Sequence, residues 1–406
     1  MPRTPTNARY FSTRYERTGT RFLIYPQLKT LKGFDEPELV YVDAAPGTIR
    51  AGPQDDGIYV VDAENKISYD DSGTWPPYAG PRPPPAEPDS FGHFDHIMPK
   101  DAEFSSATVF ATIRLVLTIW EHYLGRKVRW YFRDTYPRLE VIPRVLLEKN
   151  AVSKFGYIEC GFKNPKTRFG PYCQNFDVVA HEVGHIILKD VIGNPPYRTV
   201  AFRAHEEAAA DLVAMIALLH FKSVVKHLLQ ETKGNLYSVN VLSRTGELSK
   251  ATQIRKSFNN ETMSNTKWDA NPDDYKYQLA PPFTGGAFDV FVEIYQRYLV
   301  RRRAIPRRLA EDSYDALGED VLDLQPAFAK HFKKKEEAFE AALLGARDEF
   351  ARLLARTWVK TSMSDLTYPR VIDDMITADL ELHRGRNIAI IRDAFYWREI
   401  LPQKGS

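Results

Sequence analysis

The stretch from Asp177 to Asp211, read as DVVAHEVGHIILKD, VIGNPPYRTV and AFRAHEEAAAD, constrains this chain more than any other. His181 and His185 stand four apart with no helix breaker between them, so on a helix both imidazoles leave one face and can grip one metal ion. Glu182 follows the first histidine, where a carboxylate beside an open coordination position can take a proton from water. HExxH alone arises by chance in on the order of 1% of chains this long. A second pattern narrows the reading.

A loop with Gly193, Asn194, Pro195 and Pro196 leads to a run of helix formers beginning near Arg203. Within it Glu207 and Asp211 are again four apart, so they share a face. Glu207 can be a third ligand, and Asp211 can accept the other ring N–H of a ligating histidine. Glu206 is a rival third ligand, about 100° around the helix and with no carboxylate four residues on. Three protein ligands with a water is the catalytic zinc pattern. A structural site would close the fourth position, usually with cysteine, and Cys160 and Cys173 lie outside these helices.

This segment resembles the zinc-binding core of the thermolysin-like metallopeptidases, HExxH followed by a downstream ExxxD. The resemblance implies Zn2+ as cofactor, His181, His185 and Glu207 as ligands, Glu182 as general base and Asp211 as histidine orienter. It also implies an α+β fold with a sheet-bearing lobe, a helical lobe and an active-site cleft between them. In that family an Asn-Ala pair ahead of an edge strand binds substrate backbone. Asn150 and Ala151 resemble it, before a run that alternates like an exposed edge. A plain turn at Lys149-Asn150 is the other reading. Arg255 resembles an arginine that bonds the substrate carbonyl, and Tyr197 a tyrosine that steadies the oxyanion; Tyr275 and Tyr277 are further candidates for that role.

Further on the likeness turns toward the fungalysin branch. There a helix opens with His-x-x-Gly-Glu-x-x-Ala, and the corresponding residues here are Pro282, Gly285, Gly286 and Asp289. Proline cannot donate the hydrogen bond of the missing histidine, and losing one such donor costs roughly 10²- to 10³-fold in rate. The C-terminal segment also resembles that branch, in Met375-Ile376-x-Ala378-Asp379 and in Asn387, Ile391, Ala394 and Phe395.

Around this core the chain divides by composition. Short apolar runs between turn residues mark 1–74 as a small β-rich unit; seven prolines between Trp75 and Pro88 mark 75–89 as a stiff linker. Residues 90–220 form the sheet-bearing lobe with the HExxH helix, and 221–406 the mainly helical lobe. KVRWYF and LEVIPRV read as strands, PPFTGG as a loop before a helix. His93 and His96 sit in a loop-like setting and stay outside the site.

Net charge is +2, so no strong field points to nucleic acid, and no membrane segment is expected. No apolar run follows the basic N-terminal residues, so the expectation is cytoplasmic, or secreted if processed or exported by another route. Two cysteines fix neither a disulfide nor a compartment. The function expected is a zinc endopeptidase acting on protein or peptide substrates. The alternative is a zinc-binding regulatory protein with lost or weak hydrolysis.

Overall fold

The structure is a computed structural model that describes residues 9–146, 151–162, 171–238, 259–266, 272–316 and 323–401. Its contacts divide the chain into two compact units, 1–190 and 191–406. Composition placed the limits elsewhere, at 74, 89 and 220, and the packing explains the difference.

In the first unit, β1 (Thr20–Ile24) and β2 (Glu38–Val42) form an antiparallel pair. The β1 side chains alternate, so Phe22 points inward, stacks on Phe94 at 4.8 Å and meets Phe110 at 5.9 Å. Phe110 belongs to α3 (Phe104–Leu124), a helix buried almost all round. It is long and apolar enough to cross a membrane, yet 83% of its most apolar window is covered by the protein, as in a core helix. Gly125, at φ +69°, ends it in the left-handed conformation that glycine adopts without steric cost. Two one-turn helices, α1 (Phe11–Arg14) and α2 (Tyr69–Ser72), lie earlier in the chain.

A four-stranded sheet follows the order β3-β4-β6-β5, from β3 (Ile58–Val60), β4 (Leu139–Val145), β5 (Ala151–Lys154) and β6 (Tyr157–Gly161). β4 is parallel to both β3 and β6, and β5 is an antiparallel edge strand pairing Ala151 with Cys160. β3, read as part of a separate N-terminal unit, is therefore the opposite edge of this sheet. Two buried carboxylates clasp the neighbouring chain onto it. Glu140 accepts from the hydroxyls of Tyr59 (2.7 Å) and Tyr69 and from the Tyr78 N–H (2.9 Å). Glu159 accepts from Lys66 and the Tyr69 N–H, each carboxylate thus having the partners that burial demands. The proline-rich stretch is bound in the same way, its Ala86 and Pro81 carbonyls accepting from Gly52 and Glu64.

KVRWYF is irregular chain in place of the expected strand. Its aromatic rings supply the order: Trp130 donates to the Gly57 carbonyl and stacks on Phe132, while Tyr131 and Phe132 close on Phe155 at the β5–β6 turn. Helix α4 (Phe176–Val191) carries the chain to the end of this unit.

Among its described residues the second unit holds seven α-helices and no strand: α5 (Val200–Leu218), α6 (Lys222–Thr232), α7 (Pro272–Arg301), α8 (Arg307–Asp315), α9 (Gln325–Lys360), α10 (Tyr368–His383) and α11 (Ile388–Trp397). α7 packs against α5, α9 and α11. It runs unbroken through Pro281, Pro282, Gly285 and Gly286, where a loop was expected. The glycines serve close packing: a Cβ on Gly285 would stand 2.6 Å from the Arg398 guanidinium, and one on Gly286 2.7 Å from the Phe395 ring. Arg398 in turn binds Asp289 at 2.7 and 3.2 Å and Asn259 at 2.9 Å. The C-terminal pattern also has a packing role, since Asp379 at the end of α10 accepts from the backbone and side chain of Asn387 (2.8 and 2.6 Å).

Candidate metal centre

α4 begins behind Asn175, whose carbonyl accepts from Val179, with Asp177 in its first turn where a negative charge suits the helix dipole. It is buried along nearly its whole length. Its i,i+4 spacing puts His181 and His185 on one face, their rings 4.7 Å apart between centroids and at 88°. Glu182 is buried on the same helix. Its charge reaches β6: burial first, then Cys173, Glu182 and Glu159, push the Cys160 thiol well above its ordinary range.

α5 opens on Thr199, whose hydroxyl accepts from the Phe202 N–H at 3.1 Å and satisfies one of the helix's unpaired first-turn donors. Glu206, Glu207 and Asp211 are all buried on it. Their partners separate the two adjacent glutamates. Glu206 pairs with Arg198 at 3.4 Å. Glu207 Oε1 accepts from the ammonium of Lys276 on α7 at 2.8 Å. Burial alone would lower the Lys276 pKa, and the charge and hydrogen bond of Glu207 reverse this, so its net direction is up.

Among the described residues, His181, His185 and Glu207 offer ligand atoms that all lie within 4.8 Å of one another. Two imidazoles and one carboxylate suit zinc, and the two thiols do not compete for the role. Cys160 and Cys173 are free and buried, and burial pushes Cys173 up to about 12, which disfavours the thiolate. The donor set therefore fits a zinc ion.

Asp211 is buried one turn beyond Glu207. Ala151 opens the edge strand β5 and is buried; Asn150 and Arg255 lie outside the described residues. Tyr197 is 80% exposed in the segment before α5, and Tyr277 is exposed with its ring 4.5 Å from the Lys276 ammonium. Pro282 is buried inside α7, and Asp289 is held by Arg398. His93 Nδ1 accepts from the Arg21 N–H at 3.2 Å, a structural contact.

Sequence reading missed two residues. Lys276 carried no signal, being a lysine in a polar stretch. His205, buried edge-on to Phe283 at 4.9 Å and with no hydrogen-bond partner on either ring nitrogen among the described residues, has its pKa pushed down to about 4 by burial.

No protein-family model and no curated protein matches the sequence. Among solved structures the chain is similar to the precursor of protealysin, a metalloproteinase from Serratia proteamaculans, with 10% identity and a TM-score of 0.52, covering 89% of this chain and 91% of that one. At that identity the likeness is one of fold. It does not single out the fungalysin branch. The fold is thus a mixed α+β architecture like that of the protealysin precursor.

Proposed function

We propose that this protein is a zinc-dependent endopeptidase. The observation that carries the reading is the convergence of His181, His185 and Glu207 in a chain with a metalloproteinase fold. Bound zinc would act as a Lewis acid and bring the pKa of a coordinated water toward ~7. Glu182 accepts a proton from the attacking water and hands it to the leaving nitrogen. Asp211 orients a ligating histidine through the ring N–H that does not face the metal. The exposed side of β5 takes an extended substrate by main-chain hydrogen bonds, with Ala151 at its start and Asn150 preceding it in the sequence. Arg255 and Tyr197 hold the substrate carbonyl as charge develops on its oxygen.

Pro282 favours a second reading, a zinc-binding regulatory protein with weak hydrolysis, because no donor exists there to steady the oxyanion. Metal analysis and mass-spectrometric profiling of a peptide mixture separate the two. The peptidase reading expects one zinc per chain and cleavage that Glu182→Gln abolishes while zinc stays bound. Equal cleavage by that variant overturns it.

A further inference from the structure

We infer that Lys276 is a positioning residue that restricts Glu207 to one metal-ligating oxygen and trades metal affinity for an open coordination position. This rests on the metal reading proposed above. Lys276 lies in the first turns of α7, its side chain 23% exposed, and donates to Glu207 Oε1 at 2.8 Å. Glu207 is the carboxylate grouped with the two imidazoles. A carboxylate has two oxygens, and the ammonium takes a lone pair of Oε1 and holds that oxygen toward Lys276, which favours monodentate attachment of a metal over bidentate.

Two consequences follow from elementary electrostatics. A monodentate third ligand leaves room for a water, whereas a bidentate one would occupy that position. A cation beside a ligand oxygen also repels the dication and draws electron density from the donor, so the site binds metal less tightly than its ligand set allows. An ion pair serving only the fold would have neither consequence, and losing it would loosen the ligand and weaken the metal.

Cobalt(II) is the probe, since its visible bands report coordination number. Wild type, K276M and K276R are titrated with cobalt against a competing chelator, their spectra recorded and their peptide cleavage measured. K276M is expected to bind roughly tenfold tighter or more, to show the weaker bands of a higher coordination number, and to lose kcat with KM unchanged. K276R, which keeps the charge and the donors, stays within about threefold of wild type on every readout. Should K276M not fold, K276Q substitutes: it lacks the charge but keeps a donor, so affinity rises while the bands keep the wild-type form. Wild-type affinity and bands in the neutral variant, or weaker binding by it, overturn the role of Lys276. Wild-type protein that binds cobalt no better than H181A overturns the metal reading itself and this inference with it, so the two failures are distinct.

Discussion

On α5 and on α7 of the second unit a pair of carboxylates stands four residues apart, and these two pairs have opposite chemistry. On α5, Glu207 and Asp211 are buried, and Glu207 meets a lysine and lies within reach of two imidazoles. On α7, Asp289 is bound by Arg398, and Glu293 accepts from the Tyr237 hydroxyl at 3.0 Å. Burial pushes Glu293 up to about 7, against an ordinary 4.5, with Asp289 and Asp315 adding to the shift. No histidine joins the second pair in a possible metal group among the described residues. Helical spacing places two acids on one face. Whether that face binds a metal or closes a core depends on what the rest of the fold brings to it.

The largest test of this contrast is to delete an acid from each pair. Glu207→Ala, which removes one of three ligands, is expected to weaken zinc binding about 10³-fold or more, whereas Glu293→Ala leaves it within about twofold. Competition against a calibrated chelator measures both. A comparable loss from the α7 variant would erase the distinction between the pairs.

The next effect reads the α7 pair through its own property. The folded protein keeps a proton on Glu293 up to about pH 7, while the unfolded chain releases it near 4.5. Between those values the folded state binds more protons, so stability falls as pH rises. Glu293→Gln cannot lose that proton. It is expected to match wild type at pH 5 and to exceed it by up to about 3 kcal/mol at pH 8, read by urea denaturation. His205 imposes the opposite slope, because its folded pKa of about 4 lies below the ordinary 6.5 and stability is lost as pH falls through that interval. His205→Leu is expected to flatten that acid limb, and an unchanged limb would remove His205 as its source.

The same contrast shows what a sequence can reveal. HExxH was legible because its chemistry is local: one helix turn brings His181 and His185 together, and no distant residue is needed. The edge strand was legible from alternation, and β5 does stand at the sheet edge. Long-range features were not. β3 reads as part of a separate unit until β4, some eighty residues on, pairs with it, and the proline-rich stretch reads as a linker until its carbonyls find donors. Gly285 and Gly286 suggest a loop to anyone who cannot see Arg398 and Phe395 against them. Lys276 was invisible for the same reason, since its meaning lies wholly in Glu207, 69 residues earlier.

The finest comparison concerns Asp211, the partner that spacing assigns to Glu207. If it orients a ligating histidine, Asp211→Asn keeps the size and one acceptor oxygen but loses the charge that raises the basicity of the imidazole. Replacing such an outer partner costs 10- to 100-fold in metal affinity, less than losing a ligand. Asp211→Ala should sit at the upper end of that range and Asp211→Asn at the lower, with the fold intact by circular dichroism. The discriminating control is Asp289→Asn, which also removes a buried charge from a helix but should leave metal affinity unchanged while lowering the melting temperature through its lost pairing with Arg398. If Asp211→Asn behaves as Asp289→Asn does, stability down and zinc affinity untouched, then the α5 pair resembles the α7 pair in all but Glu207. The orienting role would then pass to another neighbour of the histidines.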